Sequence, residues 1–532
     1  MSAIITDQLR VLNAKKFVDE VTSTNNSYYA FVGLPNATEY SSDWDVSPLN
    51  PKDCFDDEND YWDTMIGLSK ILPDNARQMV RKYEWESGTI YDMYRHDISS
   101  RVLSDGSTKI SPQSRATSLY SSTYYVVNRN LQVYICLYNG ASPENSFKGN
   151  ISLDEPTFTD LEPRSAGNSG DGYIWKYLYT ITPSDIIKFD SIFYITTPKD
   201  WDTNEETQAV RNHATTSGQL KIVTIRNRGV DVGQANTTYT GVPIKGDGSG
   251  AEATIVINNQ RKVDSILISK GGSGYTYGSV DFKAIGLTAD TDPEFDVIIP
   301  PKGGHGFDVY RELGASSVLL YTRIENNNEN PDFITGNQIS RFGVVENPTK
   351  YNSTDLLESN TVSAVYALKL KSPDSNPDEN YYKTVTIEAD SYVTQTIGTA
   401  STAVGRVISY DKNTGVLKYW QDKRNVGFNT DGSRNNLPTY GFNQNRFTSS
   451  PNTGGSLNVN LNNSIILKID DTFNGSTEEI NNNISQLGQS FINGISNPEV
   501  QKYSGNVIYV DNRPSITRSS NQKEDIKVIL QF

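Results

Sequence analysis

Apolar residues recur at helical spacing most clearly near the amino terminus. Leu9, Leu12, Phe17 and Val21 fall on roughly one face, behind Thr6, a helix-capping residue type, and Asp7, whose charge suits a first turn. The spacing predicts a docked helix. A second helix is expected from about Asp57 to Ile71: Asp56, Asp57, Glu58 and Asp60 lead it, Trp62, Met65, Ile66 and Ser69 share one side, and Pro73 stops it. From Ser118 onward the period changes to two. Tyr124 to Val127 and Gln132 to Leu137 are β-branched and aromatic around Asn128-Arg129-Asn130, which reads as a hairpin. Tyr173 to Ile181 alternates Tyr173, Trp175, Tyr177 and Tyr179 with Ile174 and Leu178, so both of its faces carry apolar side chains, as in a sandwich or an interface strand. A further strand is expected at Ile192 to Thr196, and the chain closes on another, Ile526 to Phe532, with Ile526, Val528 and Leu530 on one side.

Two stretches break this scheme. Between about 206 and 300 a unit of strand, glycine-containing loop with tyrosine, and strand occurs twice. The first copy runs from Lys221-Ile222-Val223-Thr224-Ile225 through Gly246-Asp247-Gly248-Ser249-Gly250 to Thr254-Ile255-Val256-Ile257. The second runs from Val263 to Ile268 through Gly271-Gly272-Ser273-Gly274-Tyr275 to Val280-Asp281-Phe282. Between about 385 and 460, Val393 to Gln395, Gly405 to Tyr410 and Val416 to Trp420 are short strands, the last two joined by Asp411-Lys412-Asn413-Thr414-Gly415. Residues 427–455, rich in Asn, Gly and Ser, read as a long surface loop.

The 532 residues suffice for roughly three or four folding units. Lys and Arg total 48 against 63 Asp and Glu, a net charge of −15 that repels a phosphate backbone and argues against nucleic acid as partner. No run of about 18 apolar residues is present to cross a bilayer as a helix. Cys54 and Cys136 are the two cysteines and the amino terminus lacks the look of a secretion signal, so folding in a reducing cytoplasm is expected. With 31 tyrosines and 39 glycines, the composition is that of short strands joined by turns.

Each catalytic pattern that the sequence approaches fails on a residue. Gly246, Gly248 and Gly250 resemble a dinucleotide loop, but a β-rich segment follows them where a helix is required; a turn needing positive φ is the simpler reading. Ser273 has Gly271 before it but Tyr275 where a nucleophile elbow needs glycine. Asp56, Glu58 and Asp60 begin like a calcium loop, yet Tyr61 stands at its glycine position and Gly67 at its glutamate. Asp43 with Asp45 and Asp290 with Asp292 are acidic pairs of the kind an acidic chain produces by chance. His305, in Gly303-Gly304-His305-Gly306 before a short helix from Asp308 to Leu313 closed by Gly314, reads as a turn residue. No catalytic residue, cofactor or metal site is expected.

One stretch, Gly170-Asp171-Gly172-Tyr173-Ile174-Trp175-Lys176-Tyr177-Leu178-Tyr179, resembles the dimeric baseplate wedge subunits of contractile-tailed phages of the T-even type. Other stretches match in order: Phe31-Val32-Gly33 with Trp44; Tyr61-Trp62 through Met65 to Leu72-Pro73; Gln338-Ile339-Ser340 with Asn347-Pro348; and Val507-Ile508-Tyr509-Val510-Asp511-Asn512-Arg513-Pro514 running to Ile526–Phe532. The resemblance implies a mainly β chain with a two-layer β-sandwich core, peripheral amino-terminal helices, and a structural, non-enzymatic role as a homodimer that links other wedge subunits in the virion tail baseplate. It also implies a division into wedge core (1–205, 301–384 and 461–532) and two inserted all-β modules (206–300 and 385–460), each expected to be removable without unfolding the rest. Trp62, Tyr173, Trp175, Tyr177, Tyr179, Tyr509, Arg513 and Phe532 are the expected core or interface residues, with Arg513 anchoring a turn set by Pro514. The alternative is a receptor- or glycan-binding tail protein whose inserted modules do the binding.

Overall fold

The computed structural model describes all residues except 1–2, 36–43, 105, 215, 326–337, 398–400, 422–440, 443–456, 462–464, 481 and 520–521. Most of the expected loop at 427–455 therefore lies outside the described residues, as does Asp43. The chain is mainly β, 41% strand against 13% helix. It forms two compact units, one from Met1–Val18, Arg77–Leu319 and Ile529–Phe532, the other from Asp19–Ala76 and Leu320–Val528.

The first helix spans Asp7–Thr22, and the Leu9 amide donates to Thr6 Oγ1 at 3.3 Å. Its buried face differs in part from the expected one. Val11, Ala14 and Val21 are buried, whereas Leu9 and Leu12 stay 43% and 46% exposed. The face that packs is the one carrying Val11 and Ala14, where Gln78 Nε2 donates to the Val11 carbonyl at 3.5 Å. The expected second helix is cut short: it covers Phe55–Thr64, and Met65–Lys70 is a strand. Met65 through Ser69 are all buried, which one side of a helix cannot achieve, and the strand pairs with Tyr28–Gly33 on one edge and Thr361–Ser363 on the other. Long-range pairing overrides the helical spacing.

In the first unit the expected hairpin forms from Tyr125–Val127 and Gln132–Asn139, and Tyr173–Thr180 adds a third antiparallel strand. Asn128 closes the turn by accepting from the amides of Asn130 and Gln132, both at 2.9 Å. The stretch 222–298 is an all-β module of the same unit. Its end strands, Ile222–Asn227 and Glu294–Ile298, pair with each other, and a four-stranded sheet runs in the order Val263–Ser273, Ser249–Ile257, Thr238–Gly246, Gly278–Val280. Val223, Val242, Ala253, Ile255, Val263 and Tyr275 fill a core of its own.

In the second unit Tyr28–Gly33 lies at the centre of a five-stranded sheet whose outer strand is Asn506–Thr517. A closed barrel follows. Tyr366–Lys371 pairs with Val416–Trp420, which continues through Ser401–Asp411, Tyr392–Ile397, Asn458–Leu461 and Ile465–Ile469 back to Tyr366–Lys371. Leu368, Leu370, Val393, Val407, Leu417, Val459, Leu461, Leu467 and Ile469 form its interior, alternating with outward residues as pleated strands require. The carboxyl-terminal strand is Lys523–Gln531; in its part within this unit, residues 523–528, Asp525 accepts from Tyr321 and pairs with Arg323.

Candidate interaction surface

The aromatic strand Tyr173–Thr180 is a wall of the first unit's core. Tyr173 and Trp175 are fully buried and stacked, with ring centroids 5.3 Å apart and planes 12° from parallel, and Tyr91 meets Trp175 edge-on. The Tyr173 hydroxyl donates to the Asn150 carbonyl and that of Tyr179 to the Thr196 carbonyl, so buried oxygens stay satisfied. Tyr177 is half-buried against Tyr134. Trp62 is fully buried in the second unit near Tyr503. Phe532 is half-buried, 5.4 Å from the Phe17 ring.

Tyr509 and Arg513 sit on the outer strand Asn506–Thr517, half-buried and exposed respectively. Arg513 makes the expected charge-assisted contact, to Asp511 at 2.6 Å, but anchors no turn. The strand runs on through Pro514, which lies where the register against Gln338–Glu346 shifts. Proline is tolerated on an outermost strand because its missing N–H is not needed by a neighbour. The same edge is covered by an earlier segment: Trp44 donates its indole N–H to the Arg513 carbonyl, the Ser515 amide donates to Asp45, and Asn512 reaches the Leu49 carbonyl. Hydrogen bonding to Ser515 holds the Asp45 carboxyl below its usual range.

Among the apolar side chains left open in the first unit are Ile187, Ile192 and Phe193, at 67%, 82% and 70% exposed, the last two falling in the strand expected at Ile192 to Thr196. Only Tyr194–Thr196 pairs as strand, so Ile192 and Phe193 sit in the preceding turn. The helix Pro183–Phe189 also borders a cleft of about 270 Å³ lined by Arg77, Tyr177, Tyr179, Asp185 and Lys199, with Arg77 beside Asp185 at 3.5 Å and over the Phe189 ring. Sequence spacing could not reveal this surface, because an exposed isoleucine and a buried one read alike.

Several of the residues weighed for chemistry are engaged by their own chain. Gly246 and Gly248 flank a hairpin turn whose Asp247 accepts from the amides of Thr276 and Tyr277, and these bonds pull its carboxyl down to about 2. Only Gly250 of the three has positive φ. The other two are glycine because a Cβ would strike the Tyr277 carbonyl or the Tyr275 ring, a correction to the turn reading. His305 stands between positive-φ glycines in a turn, buried against Glu312 at 2.6 Å. Among the described residues no group of three His, Cys, Asp or Glu is placed to hold a metal, and no helix is long and apolar enough to cross a membrane.

Residues 3–214 match the family described as Bacteriophage T4, Gp8. Over 205 residues the chain is 23% identical to the baseplate wedge protein gp8 of Enterobacteria phage T4, an alignment covering 37% of this chain and 60% of that protein. The chain thus spans about 60% of the length of the relative it matches, and the stretches at 338–348 and 507–532 lie outside the family match. The resemblance to the baseplate wedge family is carried by residues 3–214, a span that includes the amino-terminal helix, the hairpin and the aromatic strand.

Proposed function

We propose that the chain is a structural subunit of a contractile phage tail baseplate, a wedge protein that dimerises and links other wedge subunits around the tail hub. The match of residues 3–214 to the Gp8 family carries the reading. The packing supports it: the matched aromatic strand is built as a rigid wall, as assembly proteins need for large contacts. A non-enzymatic role agrees with acidic and histidine side chains engaged within the chain. In this reading residues 1–205, 301–384 and 461–532 make the wedge core and 206–300 and 385–460 are additions to it, the second sharing its barrel with Tyr366–Lys371 and Ile465–Ile469 of the core. Tyr177, Tyr509 and Arg513, which retain exposed surface, are the contact candidates among the expected residues.

A map of the tail baseplate at moderate resolution tests this. The chain should fit density in the wedge, in two adjacent copies. Density confined to a peripheral fibre would sink it. The second reading, glycan contact through the module 206–300, is favoured by Tyr277, which is 63% exposed; binding of host surface polysaccharide that is lost in Tyr277→Ala would establish it.

A further inference from the structure

The chain has three histidines, and all three lie where the module 222–298 joins the rest of the first unit. On the exit side, His96 Nδ1 accepts the backbone N–H of Ile299 at 3.2 Å. A backbone amide only donates, so this nitrogen carries no proton while the bond exists. On the entry side, His213 ends the helix Glu205–His213; its Nε2 meets Glu162 at 2.9 Å and its Nδ1 lies 3.4 Å from the Lys176 ammonium. Lys176 is 3% exposed and donates to the Leu161 carbonyl at 2.8 Å. Entry and exit are adjacent, since a Cβ on Gly304 would strike the Ala214 carbonyl. Beside this junction a cavity of about 20 Å³, lined by Lys176, His213, Lys221 and His305, has room for about one water.

We propose that the module is hinged on neutral histidines, so that protonating His96 and His213 in mild acid loosens its attachment. A proton on His96 Nδ1 sets a donor against the Ile299 amide. A proton on His213 Nδ1 sets a cation against the Lys176 ammonium. The other charges facing these rings are Arg95, Asp97, Lys109 and Asp296 around His96, and Glu162 and Lys221 around His213. Their carboxylates attract the new charges but restore neither bond. Lost hydration, helped by Arg95 and Lys109, already holds His96 below the usual imidazole range. His305 acts oppositely, since its protonated ring still donates to Glu312. Arg228 grips Glu144 through two bonds, at 2.6 and 3.1 Å, and that carboxyl is pulled down to about 2. The tether survives mild acid, so the module pivots rather than detaches.

Amide hydrogen exchange on the full chain at pH 7.5 and 5.5, corrected for intrinsic rates, tests this. Protection of residues 216–221 and 299–304 should fall roughly tenfold in acid, the weight of about one lost hydrogen bond. The double variant His96→Asn with His213→Asn keeps an acceptor oxygen near each Nδ1 without a titrating ring, and its protection should not change with pH. Unchanged protection in the parent, or an equal fall in the variant, would overturn the proposal. Should the variant misfold by circular dichroism, ring-proton NMR of the parent decides: the fall must share its midpoint with His96 or His213, and tracking His305 or a carboxylate refutes it.

Discussion

Trp175 illustrates how much one side chain carries. Fully buried and stacked on Tyr173, it should cost about 3–5 kcal/mol when cut to alanine. Its indole N–H has no acceptor among the described residues, so Trp175→Phe forfeits packing but no hydrogen bond and should cost clearly less. Urea unfolding of the two variants beside the parent measures both; equal losses would mean the N–H is bonded. Its neighbour Lys176 gives a pH signature. Burial lowers its pKa from 10.5 to about 8. Between those values the unfolded chain binds more protons than the folded one, so stability from this group rises with pH from about 8 to 10.5 and is lost as pH falls through 8. The stability difference between parent and Lys176→Met should therefore shift in the parent's favour from pH 8 to 10, and a flat difference would show the ammonium to be solvated. At this scale the sequence was readable where local bonding decides, as at Asn128, Asp308 and Gly314. It misled at Leu9 and Leu12, because hydrophobicity alone does not reveal which face finds a partner.

Elements tell the same story over longer distances. The hairpin, the aromatic strand and the carboxyl-terminal strand were legible because each has a strong period and a clear boundary. Met65–Lys70 was not: its five consecutive buried residues make sense only with both neighbours in place, and Thr361–Ser363 is nearly three hundred residues away in sequence. The barrel was half legible for the same reason, since Tyr366–Lys371 and Ile465–Ile469 close it from outside the stretch that looked inserted. The two excisions should therefore behave differently. Removing 222–298 takes out a stretch whose end strands pair, so a short Gly/Ser bridge spans the gap, and the remainder should melt cooperatively. Removing 387–458 strips Tyr392–Ile397, Ser401–Asp411 and Val416–Trp420 and bares Leu368, Leu370, Leu467 and Ile469, so the second unit should lose its transition. Calorimetry of both deletion variants reads this, and a cooperative second unit after the barrel excision would mean its core is not shared. Ending the chain after Gln522 likewise removes buried Val528 and the partner of Tyr321 and Arg323, and should abolish soluble protein; a truncated chain that melts like the parent would make the terminus a peripheral arm.

For the whole molecule, the proposed dimer must form against a charge of −15 on each copy. Like charges oppose association over distances comparable with the screening length, which shrinks from about 30 Å at 0.01 M salt to about 8 Å at 0.15 M. An interface held by apolar and tyrosine contacts gains from that screening, whereas one held by ion pairs weakens. The exposed charged groups pair largely within the chain, as Arg323 with Asp525 and Lys350 with Glu358 do, which leaves an excess of carboxylates to repel a second copy. The dimer should therefore tighten as salt rises. Light scattering at micromolar concentration in 20 mM and 300 mM salt, about a fifteenfold range over which the screening length falls several-fold, should find dimer at the higher value with any dissociation confined to the lower. A stable monomer at both would remove the dimer from the proposed function while leaving the wedge assignment to the tail map. Dissociation by salt would instead show that opposite charges, concentrated on two different faces, make the contact.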